Sequence, residues 1–106
     1  MKAEEHLQAI ADMAVRLRSV GVTVLEHYYE EGYWELVVEE FGRKARVTWP
    51  GRAHSYFTFY VPERETRDGT KWLKQDFLTE FTNATFYSDC ERKLLSILRA
   101  IDASQA

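Results

Sequence analysis

Few side chains in this sequence have the types and spacing that catalysis requires. The chain has one cysteine and three histidines: Cys90, His6, His27 and His54. A nucleophile needs a base within reach in space, and the adjacency of His54 and Ser55 along the chain does not supply one. Cys90 falls in the first turn of a predicted helix, which would activate a thiol, but its neighbours Asp89 and Glu91 oppose that effect. Neither a metal-ligand spacing nor a Gly-rich phosphate loop occurs. We therefore predict a protein that is not an enzyme and that uses no cofactor and no metal.

A second pattern, between Gly42 and Tyr60, suits nucleic-acid binding. It reads GRKARVTWPGRAHSYFTFY and combines basic with aromatic side chains, without any Asp or Glu. Cations can contact phosphates, and aromatic rings can stack on bases. The residues that would form such a site are Arg43, Lys44, Arg46, Arg52, His54, Tyr56 and Tyr60. The same alternation is typical of strands in a half-buried sheet, and we favour that interpretation.

Composition limits the class of protein more firmly than it identifies a site. The chain has 106 residues, 45% of them hydrophobic, with a formal net charge of −3 and a pI near 5.6. These values favour one folded domain over residues 1–106. Dedicated DNA-binding domains are usually basic, so the mild acidity disfavours that class. With one cysteine and no apolar run typical of a signal peptide or membrane span, we expect a cytoplasmic protein without a membrane partner.

Hydrophobic periodicity predicts that the chain begins with a helix and a hairpin. Residues 3–20 carry apolar side chains at helical spacing, and Gly21 is a plausible C-terminal stop. Residues 22–30 and 33–41 are rich in β-branched and aromatic types, with a Glu-Gly pair between them. A two-residue loop there would place His27 on the core side, opposite Leu36.

The same reasoning extends the hairpin into a meander of four strands. A turn at Gly42-Arg43 predicts a third strand, and residues 55–61 read as a fourth. In this register Leu25 and Val47 both lie opposite Val38. The two turns therefore assign the same side of the middle strand to the core.

The second half of the chain has weaker signals until its last helix. Residues 62–69 are polar and unpatterned, which predicts a loop, and Thr70 can cap a short helix that contains Trp72, Leu73 and Phe77. Residues 77–87 fit either helix or strand. Ser88 begins a capping box, followed by a clear helical pattern over residues 89–103. The predicted fold is α+β: an N-terminal helix, a four-stranded antiparallel meander, a short helix and a C-terminal helix, with the helices packed on one sheet face.

The other sheet face is rich in tyrosine and has segregated charge. Its first hairpin is acidic and the next strand is basic. Exposed aromatic side chains rimmed by charge are typical of protein interfaces, although ordinary cross-strand pairs would give the same pattern. The residues predicted to contact a partner are Tyr28, Glu35, Val37, Lys44, Arg46, Tyr56 and Tyr60.

We therefore predict a small non-enzymatic protein that acts by binding another protein through this aromatic, charge-segregated face. Proteins of this kind include inhibitors, immunity proteins and antitoxins, phage anti-defence proteins and accessory factors. The partner could also be a second copy of the chain, in a homodimer. Two alternatives stay open: nucleic-acid binding through residues 43–60, and an enzyme of unrecognised type that uses Cys90 or His54.

Overall fold

Two helices and five strands form an α+β fold in the computed structural model, which describes residues 3–30, 33–49, 56–79 and 86–105. The elements are α1 (Ala3–Ser19), β1 (Thr23–Glu30), β2 (Tyr33–Glu40), β3 (Arg43–Trp49), β4 (Tyr56–Thr66), β5 (Gly69–Thr79) and α2 (Phe86–Gln105). The strands form one antiparallel sheet in the order β1-β2-β3-β4-β5. The predicted α+β class is confirmed, whereas the predicted count of four strands and the short helix are wrong.

The N-terminal helix ends where the sequence predicts. Gly21 has φ +91°, and the amides of Gly21 and Val22 donate to the carbonyls of Arg18 and Leu17 at 3.2 and 3.0 Å. Glycine adopts this left-handed conformation without the steric cost that a Cβ imposes, so it ends the helix and turns the chain into β1.

The first hairpin has the predicted register except at one bulge. His27 pairs with Leu36 and Tyr29 pairs with Trp34, as the predicted hairpin requires. Leu25 is an extra residue on β1, so Val24 rather than Leu25 lies opposite Val38. The bulge leaves Leu25 exposed and gives β1 a regular ladder only from Glu26 onward.

The second turn lies one residue earlier than predicted. Phe41 and Gly42 form the loop, with φ values of +54° and +79°, the signs that a type I′ hairpin turn requires at both central positions. Val38 is therefore opposite Ala45, not Val47, and Arg46 is opposite Val37. This shift by two residues preserves the side-chain alternation, so the predicted core face of β2 is unchanged.

The segment from Val61 to Thr79 completes one strand and forms another, where the sequence predicts a loop and a short helix. Residues 62–66 of the predicted polar loop belong to β4, the chain turns at Arg67 and Asp68, and the predicted short helix is part of strand β5. An Asp-Gly pair is a strong hairpin signal. It was missed because Trp72 and Leu73 are adjacent and give no alternation of apolar and polar side chains.

Both helices pack on one face of the sheet and bury a single core. Its largest fully buried side chains include Trp34, Leu36, Val47, Phe57 and Phe59 from the sheet, and Ile10, Met13, Leu17, Leu94 and Leu98 from the helices. The helix predicted over residues 89–103 is confirmed as part of α2, but α2 begins at Phe86, so Ser88 lies within its first turn and does not cap it. Arg99 of α2 donates to both carboxylate oxygens of Glu40 at 3.1 and 3.2 Å, which ties the helix to the end of β2.

Candidate functional site on the outer sheet face

The sheet face opposite the helices is uncovered within the described part of the chain. The core side of the sheet carries the side chains that contact α1 and α2, such as Leu36 and Phe59. Their neighbours along each strand, including Glu35 and Tyr60, point to the other side because side chains alternate. Neither α1 nor α2 packs on this outer face.

Aromatic and charged side chains join into a continuous row across the outer face. We call this row the outer-face strip, and it consists of Tyr28, Tyr33, Glu35, Arg46, Tyr60 and Trp72, which come from all five strands. Four gaps between strands at ~4.8 Å each give the strip a length of about 19 Å.

The β1–β2 half of the strip is held by tyrosine hydroxyls and carboxylates. The rings of Tyr28 and Tyr33 have centroids 6.1 Å apart at an interplanar angle of 60°. The Tyr33 hydroxyl donates to Glu35 Oε2 at 2.9 Å, and the Tyr28 hydroxyl donates to Glu30 Oε2 at the same distance. These contacts orient the two rings on the face.

Arg46 forms the centre of the other half. Its Nη2 donates to Glu35 Oε2 at 3.0 Å, and its guanidinium carbon lies 4.8 Å from the Tyr60 ring centroid and 5.9 Å from that of Trp72. Both aromatic contacts are within the range of a cation–π interaction. One guanidinium therefore couples three strands to the carboxylate of Glu35 on β2.

The electrostatics of the strip favour neutral tyrosines and a charged arginine. Burial, followed by the hydrogen bond to Glu35, raises the pKa of Tyr33. The hydrogen bond to Glu30 raises the pKa of Tyr28. Burial acts against the charge on Arg46, but its hydrogen bonds and proximity to Glu35 and Tyr33 outweigh that effect and raise its pKa.

The floor of the strip is packed despite the absence of a covering helix. Val37, Thr48 and Thr58 point to the outer face and are only 5%, 4% and 4% exposed. The long side chains around them exclude water. Val37, predicted as a partner contact, therefore supports the strip from below and offers almost no surface of its own.

The structure brings most of the predicted contact residues to one face. Tyr28, Glu35, Arg46 and Tyr60 belong to the strip. Lys44 lies at its edge, with Nζ 3.3 Å from a carboxylate oxygen of Glu65. The backbone of Tyr56 pairs with Thr79, but its side chain falls outside the described part, as do Arg52 and His54.

Trp72 was missed as a site residue because the sequence placed it on a helix. Once the segment is a strand, the pairing of Trp72 with Pro62 and of Lys74 with Tyr60 puts Trp72 on the outer face. The Asp68-Gly69 pair, next to the turn at Arg67 and Asp68, was the hairpin signal that could have found it.

Groups suited to catalysis are not assembled in the described residues. Cys90 is fully buried in the core, and burial, with a smaller effect of Glu91, raises its pKa well above the ordinary value. His27 was predicted to face the core, but it is exposed at the β1 edge, where burial of part of its ring and the charge of Arg18 lower its pKa. No described cluster of His, Cys, Asp and Glu could hold a metal ion.

Comparisons with protein-family models, curated proteins and solved structures gave no match for this chain. Neither described helix is long and apolar enough to cross a membrane.

Proposed function

We propose that this protein acts by binding another protein through the outer-face strip, without catalysing a reaction. The observation that carries this proposal is the continuous row of side chain contacts across five strands, on a face that neither described helix covers. Inhibitors, immunity proteins, antitoxins, phage anti-defence proteins and accessory factors remain the classes to which such a protein would belong.

The residue types of the strip suit binding to a protein. Tyr, Trp and Arg are the side chains most enriched among residues that contribute strongly to binding energy. Ordering a flexible side chain at an interface costs roughly 0.5–1.5 kcal/mol, and rings already held by hydrogen bonds lose less. A row of about 19 Å can form the centre of a standard interface, which buries roughly 800 Å² per partner.

The contacts of the cations favour this function over nucleic-acid binding. Arg46 is paired with Glu35, and Lys44 is paired with Glu65. A phosphate would have to displace these carboxylates, which repel it. The nucleic-acid alternative thus loses support from two of its central residues, while Arg52 and His54 lie outside the described part.

The test compares two neighbouring residues on opposite faces of β5. Trp72 belongs to the strip, whereas Leu73 pairs with Val61 on the other side and is 47% exposed. Wild type, a Tyr60→Ala/Trp72→Ala variant and a Leu73→Ala variant are immobilised, and the proteins that each retains from cells that produce the protein are identified by mass spectrometry. Sedimentation of the same three proteins tests self-association.

We expect wild type and Leu73→Ala to retain a partner protein that the Tyr60→Ala/Trp72→Ala variant loses. The circular dichroism of all three proteins should be the same. If wild type and both variants retained an identical set of proteins, with no change in self-association, the strip would not bind a protein. Salt-sensitive binding of labelled DNA or RNA that is lost on Arg46→Glu would instead support the nucleic-acid alternative.

A further inference from the structure

Strand β1 is an edge of the sheet with unpaired backbone groups. It pairs with β2 on one side, and no other described strand lies beside it. After the bulge at Leu25, the ladder from Glu26 to Glu30 is regular, so alternate N–H and C=O groups of this stretch point away from the sheet. Such an edge can pair with an added strand.

The two edges of the sheet differ in how far they are protected against pairing. The β5 edge carries Lys71 and Lys74, and the β4–β5 ladder is interrupted at two places. Lysines and bulges are the devices with which proteins block edge pairing. The β1 ladder from Glu26 to Glu30 contains no lysine, proline or further bulge.

Uncompensated negative charge lies along the outer face of this edge. Every second side chain of this stretch lies on the outer face: Glu26, Tyr28 and Glu30. Their partners on β2 are Val37, Glu35 and Tyr33. Among the described residues no Lys or Arg pairs with Glu26 or Glu30, and Glu30 accepts a hydrogen bond only from Tyr28. A cation on the outer side of an added strand would meet the carboxylates of Glu26 and Glu30, neither of which has a cationic partner among the described residues.

The helix side of the edge has the opposite character. His27 and Tyr29 point to that side, and the pKa of His27 is lowered first by burial of part of its ring and then by the nearby charge of Arg18. Arg18 would repel a cation placed there, so an added strand is expected to carry uncharged side chains on its helix side.

We propose that the β1 edge binds an extended basic segment of a partner protein by strand addition, with Lys or Arg on the outer side, where Glu26 and Glu30 lie, and uncharged residues on the helix side. This inference rests on the proposed protein-binding function, but it concerns the edge of β1 and adds the chemistry of the partner.

A second copy of the chain is the disfavoured occupant of this edge. Antiparallel self-pairing centred on Tyr28 places Glu26 of one copy directly opposite Glu30 of the other. Like charges directly opposite each other destabilise a strand pair. The same two carboxylates thus oppose self-association and favour a basic partner.

The probe is a synthetic peptide with blocked ends in which Lys and Val alternate. A peptide of the same composition with the lysines in adjacent pairs cannot place them all on one face, so it is the matched control. Binding is measured by calorimetry, and its site is mapped by NMR shifts of the backbone amides of β1 and β5. We expect the alternating peptide to bind more tightly than the control and to shift the amides of residues 26–30.

Variants of the protein and modified peptides then separate the contributions of charge and of backbone hydrogen bonds to peptide binding. Glu26→Gln and Glu30→Gln should each lower the affinity for the alternating peptide by roughly two- to fivefold, as expected of a cross-strand ion pair. A Glu4→Gln/Glu5→Gln variant changes the net charge as much as a Glu26→Gln/Glu30→Gln variant, at exposed positions of α1, and should bind normally. Two further peptides are methylated on backbone nitrogens, one on those of its lysines and the other on those of its valines. In a paired strand only one of these two sets of backbone nitrogens faces β1. That peptide should lose more than about tenfold in affinity, because several hydrogen bonds are removed together.

The inference is overturned by any of three results: no binding of the alternating peptide, equal binding of the paired-lysine control and both methylated peptides, or amide shifts at β5 rather than β1. Each of these outcomes leaves capture of a partner through Tyr60 and Trp72 untouched, so failure here is distinguishable from failure of the proposed function.

Discussion

The ion pair between Glu35 and Arg46 should contribute measurably to stability, because it is only partly exposed. The two side chains retain 18% and 21% of their accessible surface. Exposed ion pairs contribute roughly 0–1 kcal/mol, and breaking a buried pair costs roughly 3–5 kcal/mol. Because solvent screens this partly exposed pair, its energy should lie near the range for exposed pairs. Arg46→Met keeps the apolar stem but removes the guanidinium, together with cation–π contacts worth about 0.5–1 kcal/mol. We therefore expect Arg46→Met to lower the free energy of unfolding by about 2 kcal/mol.

A double-mutant cycle with Glu35→Gln isolates the ion pair from the aromatic contacts. Unfolding in urea is followed by tryptophan fluorescence for both single variants and the double variant, and we expect a coupling energy of about 1 kcal/mol. The matched control is the neighbouring pair of Lys44 and Glu65, whose side chains are 27% and 55% exposed. Its cycle should give a coupling energy of about 0.3 kcal/mol. If both cycles gave the same small value, the central ion pair would not preorganise the strip.

Three further predictions concern the turn, the thiol and a tyrosine. Phe41→Asn should raise the free energy of unfolding by about 0.5 kcal/mol in urea titrations, because Phe41 is 85% exposed with φ +54° and Asn tolerates this conformation better. Cys90 should react with an alkylating agent far more slowly in the native protein than in urea, and a native rate equal to that of a free thiol would contradict its burial. The pKa of Tyr33 is raised from 10.0, so its contribution to stability is present below that pH and is lost as the pH rises through the folded-state value. Urea titrations at increasing alkaline pH should therefore show a smaller loss of stability in Tyr33→Phe than in wild type.

The core side of the meander could be predicted because its pattern tolerates small errors. The turn after β2 lies one residue earlier than predicted, and the extra Leu25 shifts one pairing on β1. Moving a turn of fixed length by one residue changes the pairing by two residues, which leaves every side chain on the same face. Arg46 and Tyr28 were therefore placed on the outer face even though their predicted partners were partly wrong.

The β4–β5 hairpin could not be predicted from the same signals. Residues 63–69 are exposed and Leu73 is 47% exposed, so this hairpin buries too little on either side to impose an alternating pattern. The Asp68-Gly69 pair was a hairpin signal, but without an apolar alternation beside it the segment resembles a loop. Because β5 is not predicted, Trp72, the last member of the strip, is not predicted as a site residue either.

Tyr28 belongs to both the strip and the β1 edge, and this shared position separates the two proposals experimentally. A partner that docks only on the outer face needs Tyr60 and Trp72 and is indifferent to methylation of backbone nitrogens. A partner that adds a strand needs the backbone beside Glu26 and Glu30 and does not contact Trp72, which lies four strands away. Tyr28→Ser should weaken both modes, because the ring contacts Tyr33 and its hydroxyl orients Glu30. A partner lost on Tyr28→Ser and on Trp72→Ala, yet indifferent to Glu26→Gln and Glu30→Gln, would bind the face alone. One lost on the Tyr28 and glutamate variants but retained by Trp72→Ala would bind the edge alone.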